Sequence, residues 1–241
     1  MLQELKKFRA GKRRGVFADG GKCMEYTVVD MEKYPRKAHF DYFRSLAYPY
    51  MGTTVNVDVT ELADACKKSG HSFYLAFMHI AALAADGVEE LRYRIKDGGI
   101  VCYESCCTSH VEALPNGTYC YCTLRHDMGW KDFFDYAERC RRLCRTDGSI
   151  EEDGDVNNYY FISALPWFSY TALIQPAACA DESNPRITWG KYERDHNGRL
   201  MMPLTVLAHH ALADGLHLAR FYANVESGMK KAAADIITLL S

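Results

Sequence analysis

The sequence has almost no excess of charge of either sign, with 29 Lys and Arg set against 31 Asp and Glu and a net charge of -2. Binding a phosphate backbone needs clustered cations that release counterions, so a nucleic-acid surface is not expected. Long apolar runs are lacking too. The longest, Phe73 to Ala85, falls short of the roughly 20 residues that cross a bilayer and predicts a helix buried in a core, so no membrane partner is expected. The first residues lack the apolar region of a signal peptide, and a cytoplasmic location follows as the expectation. Cysteine is plentiful, but its ten copies never fall in the C-x-x-C spacing of a zinc ribbon. Reduced thiols and no metal site are therefore expected, with Cys140 and Cys144 sharing one face of a helix as packing residues. No internal repeat or low-complexity linker divides the chain. With 48% hydrophobic residues in 241, it can bury one large core. Lys6, Lys7, Arg9, Lys12, Arg13 and Arg14 form the one basic stretch, ending at Gly20-Gly21. It predicts a flexible arm over 1–22 and a single domain over 23–241.

What is present alternates between two periods. Val55, Val57 and Val59 step every second residue and predict a strand, followed by a helix from Glu61 to Ser69 that stops at Gly70. Strands are predicted at Tyr93 to Ile95 and Gly99 to Tyr103, turning at Asp97-Gly98, and again at Thr118 to Leu124 after a turn at Asn116. A helix is expected over Lys131 to Arg145, then strands at Tyr159 to Ser163, Ile187 to Arg194 and Leu200 to Ala208. Leu216 to Lys231 carries a helical pattern. Mixed helices, strands and hairpins predict an α/β two-layer sandwich, a mixed β-sheet covered by helices.

The segment His209-His210-Ala211-Leu212-Ala213-Asp214-Gly215 places an imidazole, a carboxylate and a glycine between the last strand and the last helix. A histidine held there suits general base work, and Asp214 suits a helix N-cap. This H-H-x-x-x-D-G pattern resembles the CoA-dependent acyltransferases. Other blocks narrow the resemblance: Pro35 to Phe43, Thr54 to Thr60, Phe73 to Ile80, Leu91 to Gly98, Ser163-Ala164-Leu165-Pro166-Trp167 and Thr188-Trp189-Gly190-Lys191-Tyr192. Together, over roughly residues 24 to 230, the chain resembles the chloramphenicol acetyltransferase family.

That resemblance implies an acetyl-CoA-dependent O-acetyltransferase that inactivates chloramphenicol. His210 matches the general base, Ser163 the oxyanion donor, Thr188 the threonine that steadies the intermediate, and Asp214 with Arg36 a buried ion pair holding the His210 loop. Lys191 and Tyr192 match contacts to the CoA phosphate and adenine, whereas Ser72 stands where the family often carries a second lysine. Tyr42, Phe43, Tyr119 and Tyr121 match the acceptor pocket. Phe161, Leu173, Gln175 and Ala177 depart from its usual lining, with Gln175 adding a polar group to an apolar wall. The resemblance also implies a homotrimer with the cleft between subunits. His209 reads as structural, because adjacent residues on a strand face opposite ways. His39 and His79 sit among apolar neighbours and are expected in the core, though His39 also falls in a segment that, by the resemblance, lines the pocket. The alternatives are a family member acting on another small hydroxylated acceptor and, from a different class, a non-catalytic trimeric binding protein.

Overall fold

The computed structural model describes residues 26–150 and 154–239. The basic stretch, Cys23 and the boundary at 22/23 lie outside the described residues. Along the chain come β1 (Tyr26–Val28), α1 (Lys37–Arg44), β2 (Tyr50–Asp58), α2 (Thr60–Ser69), α3 (Phe73–Asp86) and α4 (Glu89–Arg92). Then follow β3 (Tyr93–Lys96), β4 (Gly99–Tyr103), β5 (Cys107–Ala113), β6 (Tyr119–Leu124) and α5 (Trp130–Asp147). The last elements are β7 (Tyr159–Leu165), β8 (Arg186–Gly190), β9 (Glu193–Arg194), β10 (Leu200–His209) and α6 (Gly215–Thr238). Local chemistry sets several of these boundaries. Gly70 ends α2 in the left-handed conformation at φ 74°, and the β3–β4 turn carries Asp97 and Gly98 at φ 50° and 81°.

Seven strands form one sheet in the order β2-β10-β8-β7-β5-β6, with β9 added beside β10. The β2–β10, β10–β8 and β5–β6 pairs are antiparallel, and β8–β7 and β7–β5 are parallel, so the sheet is mixed as expected. One face is buried: Ile162, Ile187, Trp189, Leu204 and Val206 join Phe77, Phe133 and Phe221 in the main core. Strand alternation turns Ser163, Thr188 and Thr205 to the other face. The expected β3–β4 hairpin forms a second, three-stranded antiparallel sheet, β1-β4-β3, to which β1 adds a strand that the sequence pattern does not mark.

Four further expectations need correction. Ile187 to Arg194 is not one strand. A Cβ on Gly190 would lie 2.8 Å from Pro203 and 2.9 Å from Tyr170, and the Lys191 amide donates to the Phe168 carbonyl at 3.0 Å, so the chain leaves β10 there and returns as β9. α6 runs seven residues past Lys231, since Ala232, Ala233 and Ile236 continue its buried stripe. β5 was missed because Thr108, Ser109, His110 and Glu112 are polar yet buried, which erases the period-2 signal. His39 is exposed rather than in the core: on α1 it is Phe40 that turns inward.

Candidate active site

β10 ends at His209, and the chain turns through Ala211 and Leu212 into α6. The two histidines have opposite fates. His209 is 1% exposed, its Nε2 donates to the Ala180 carbonyl at 2.8 Å, and its Nδ1 accepts from the Ala211 amide at 3.2 Å. Burial holds its pKa below the ordinary imidazole value, so it is a neutral group with both nitrogens in use. His210 is half-buried and stacks on Phe43, with centroids 3.8 Å apart and planes inclined by 22°. Its amide donates to the Pro49 carbonyl at 2.7 Å, and Nδ1 lies 3.0 Å from the Ala213 carbonyl. A carbonyl can only accept, so Nδ1 carries a proton and donates it there. No described residue bonds Nε2.

Asp214 caps α6: its Oδ1 accepts from the Leu216 amide at 3.0 Å, and its Oδ2 meets Arg36 Nη2 at 3.2 Å. His217 completes a capping box, its Nδ1 accepting from the Asp214 amide at 2.9 Å. Arg36 Nη1 reaches the Leu212 carbonyl at 3.2 Å and His217 Nδ1 at 3.3 Å. With Nδ1 accepting from the Asp214 amide, the proton of His217 sits on Nε2, which faces Glu90 at 3.2 Å. The pair is not buried as expected: the Arg36 and Asp214 side chains are 22% and 39% exposed, because the cap lies at a helix end open to solvent. Partial burial pushes the Asp214 carboxyl up, but His217 and Arg36 outweigh it and leave the pKa lowered.

A second group lies on the face of the sheet opposite the main core. Ser163 pairs with Thr188, Thr188 with Thr205 and Thr205 with Thr54, which sets four hydroxyls in a row across four strands. Thr54 and Thr205 share a bond of 2.8 Å, Thr205 donates to the Tyr170 hydroxyl at 3.1 Å, and Tyr170 donates to the Thr188 carbonyl at 2.8 Å. Thr188 itself is 1% exposed, and its hydroxyl has no partner among the described residues. A buried, unpaired hydroxyl costs about 1–3 kcal/mol. Phe161, two residues before Ser163, shares its face, and through Ser109 and Val111 so do Tyr119 and Tyr121 on β6. Tyr119 is 50% exposed.

The remaining sequence-predicted residues lie around these groups. Tyr42 is exposed and edge-on to Phe43 at 5.1 Å. Lys191 and Tyr192 follow β8, with the Tyr192 ring 5.4 Å from Phe73 at the start of α3. There Ser72 is the N-cap, its Oγ accepting from the Leu75 amide at 3.4 Å. Leu173 and Gln175 lie half-buried in the loop between β7 and β8, and Gln175 Oε1 has no partner among the described residues. Tyr50 anchors that loop through the Cys179 and Glu182 carbonyls, as does Arg44 by two bonds to Asp181.

One separation matters for chemistry. Thr205 lies level with Ser163 and Thr188, and His210 comes five residues later, roughly 16 Å along the strand at ~3.3 Å per residue. A base and an oxyanion donor must each approach within about 3 Å of neighbouring reacting atoms. One chain therefore presents two half-sites, His210 with Phe43 and the hydroxyl row with its tyrosines. Sequence reasoning missed Thr54, Thr205 and Tyr170, whose alignment depends on strand register, and the supporting His217 and Glu90. The D-x-x-H spacing at the start of α6 was the one available signal for His217.

Among the described residues, no group of three or more His, Cys, Asp or Glu is placed to hold a metal ion, and no helix is long and apolar enough to cross a membrane. Residues 24–226 match the family described as chloramphenicol acetyltransferase. A chloramphenicol acetyltransferase from Klebsiella sp is 32% identical over 210 residues, 83% of this chain and 91% of that protein. One from Streptomyces acrimycini is 30% identical over 200 residues, 80% and 89% of the two chains. Among solved structures, a chloramphenicol acetyltransferase superposes with a TM-score of 0.73 at 27% identity, covering 85% of this chain and 100% of the other. A probable dihydrolipoamide acetyltransferase from Listeria monocytogenes shares the fold, with a TM-score of 0.62 at 13% identity, over 88% and 96% of the two chains.

Proposed function

The chain belongs to the chloramphenicol acetyltransferase family and is an acyltransferase, and from that premise we propose that it moves the acetyl group of acetyl-CoA onto a hydroxyl of chloramphenicol. The observation that carries the proposal is the anchoring of His210. Its Nδ1–H is tied to the Ala213 carbonyl and its ring is stacked on Phe43, which leaves Nε2 outside the hydrogen bonds of the described residues.

His210 Nε2 takes the acceptor's hydroxyl proton as that oxygen attacks the thioester carbon. The carbonyl oxygen becomes an oxyanion, and the Ser163 hydroxyl donates to it. Thr188, buried and unpaired, steadies the same intermediate. Collapse expels the CoA thiolate, and the proton held on His210 passes to that sulfur. Asp214 and Arg36 hold the loop that carries His210. Lys191 and Tyr192 bind CoA beside the start of α3, with Ser72 spent on the helix cap. Tyr42, Phe43, Tyr119, Tyr121, Phe161, Leu173 and Gln175 bind the acceptor.

The two half-sites support a homotrimer in which His210 of one copy works beside the hydroxyl row of the next. The activity is placed in a single domain and in the cytoplasm. Gln175 favours a second reading, since its unpartnered Oε1 offers an acceptor for a substrate hydroxyl or amide. Another small hydroxylated compound would then be the acceptor. The test is thiol release from acetyl-CoA with and without chloramphenicol. Chloramphenicol-dependent release is expected, and release no faster than without acceptor removes chloramphenicol from the proposal. A light-scattering mass of one chain in an active preparation removes the trimer.

A further inference from the structure

Behind the tyrosine face of β6 lies a group of thiols that the acetyl-transfer reading does not use. Alternation along β6 turns Tyr119 and Tyr121 to the face opposite the main core and Cys120 and Cys122, both buried, toward α5. On α5, Cys140 and Cys144 stand one turn apart, half-buried against the same core. Cys120 Sγ lies 3.5 Å from Cys144 Sγ. A disulfide bond is about 2.0 Å long, so bond formation requires the two sulfurs to approach by about 1.5 Å.

The surroundings separate the roles of the sulfurs. Cys144 is half-buried, whereas Cys120 is 0% and Cys122 2% exposed, so a small oxidant reaches Cys144 first. The Cys122 and Cys120 thiols donate toward the Cys144 sulfur and hold its pKa below the ordinary thiol value, while burial and the same contact push Cys120 up to about 12. Cys144 Sγ donates to the Arg141 carbonyl at 3.3 Å and so holds its proton at rest, and the thiolate that its lowered pKa makes accessible is the attacking sulfur, with the buried Cys120 thiol as its resolving partner.

We propose that Cys144 and Cys120 form an oxidant-sensitive thiol pair, which closes to a disulfide between α5 and β6 and thereby shifts the tyrosine face of β6. The oxidant is a hydroperoxide. The Cys144 thiolate attacks its O–O bond, taking one oxygen to give the sulfenic acid and releasing water or an alcohol. Cys120 sulfur then attacks the sulfenic sulfur and water leaves. In sum two thiols give up two electrons and two protons, and the peroxide is reduced. Cys120 sits between Tyr119 and Tyr121, so pulling it toward α5 moves both rings. The disulfide stands on the thiol geometry alone, and only its effect on catalysis rests on the proposed acceptor site.

The experiment treats the reduced protein with hydrogen peroxide, blocks remaining thiols with iodoacetamide and maps peptides without reduction. It uses the unsubstituted chain and a Cys23→Ser, Cys179→Ser background, with Cys144→Ser as control. The expected product joins the Cys120 and Cys144 peptides, is lost on adding dithiothreitol and is absent from the control. The acceptor KM should rise on the order of tenfold, below the hundredfold that a 1 Å misplacement can cost, with the acetyl-CoA KM unchanged and both restored by dithiothreitol. Cys120 and Cys144 recovered alkylated after peroxide, or Cys144 joined to Cys122 or Cys140, overturns the pair. A joined pair with an unchanged acceptor KM overturns the link to the tyrosine face. A reduced protein that never acetylates chloramphenicol refutes the proposed function instead, and the peptide map still decides the disulfide.

Discussion

Replacing Asp214 by Ala removes three things at once: the cap on the Leu216 amide, the ion pair to Arg36 and the carboxylate side of the capping box with His217. Losing an N-cap side chain costs about 1 kcal/mol, and a pair as exposed as 22% and 39% adds only about 0.2–1 kcal/mol. The sum is about 1–2 kcal/mol, short of the 3–5 kcal/mol that breaking a buried pair would cost. At roughly 2–4 °C per kcal/mol for a chain of this size, the melting temperature should fall by about 2–8 °C. Asp214→Asn keeps a good cap and loses the charge, so it should melt within about 4 °C of the parent. Thermal denaturation at pH 7 followed by circular dichroism makes the comparison. Asn melting as low as Ala would refute the view that the cap, more than the charge, holds this loop. The depressed pKa of Asp214 sets the sign with pH: its contribution is present near neutrality and is lost as pH falls through the folded value.

Other outcomes follow from the two half-sites and the core. His210→Ala should lose on the order of 10²–10⁴ in kcat while His209→Ala, if folded, loses far less, and the reverse order in steady-state assays would move the base to His209. Ser163→Ala should lose about 10²–10³ in kcat with little change in KM, and a loss confined to KM would deny it the oxyanion. Tyr170→Phe, which frees the Thr188 carbonyl and the Thr205 hydroxyl, should lower kcat by about fivefold to tenfold, as one hydrogen bond of about 1 kcal/mol implies, and unchanged kcat would show that the row needs no such tie. Burial pushes His79 down to about 4, so between that value and the ordinary 6.5 the unfolded chain binds more protons and stability falls as pH falls. By pH 5 the loss from this residue is about 2 kcal/mol, and a His79→Gln variant with the same urea-unfolding difference between pH 7 and pH 5 as the parent would disprove it.

Much of the fold was legible because burial on one face writes a period. β10 carried a continuous apolar run and α3 was apolar almost all round, so both were found near their true limits, whereas the helical stripe of α6 was found but read seven residues short. β5 was hidden by Thr108, His110 and Glu112, which are buried through their own hydrogen bonds: Thr108 to His126, His110 to Glu112, and Glu112 to Arg141 and Arg145. The candidate site divided in the same way. His210, Ser163 and Thr188 were legible through motif blocks, each contiguous in sequence. Thr54, Thr205 and Tyr170 joined them only through register, where a one-residue slip would have sent the threonines to the opposite face. The exposure of Arg36 and Asp214 was also beyond the sequence, since a charged pair at a helix end reads the same whether or not another element covers it.

β2 and β10 are partners from opposite ends of the chain, Thr54 bonding to a residue 151 positions later. On the ribosome, where about 5–20 residues are added each second, β2 waits on the order of 8–30 s before the strand that will pair with it has been made. β10 also separates β2 from β8, so the early and middle parts of the sheet have no direct contact until it arrives. The strand that waits is suited to the delay. Of its nine residues only Val57 is fully buried in the finished protein, and Thr53, Thr54, Asn56 and Asp58 keep its unpaired backbone in polar company. Assembly thus runs against the order of synthesis, and the segment that leads into His210 is also the one whose arrival closes the sheet.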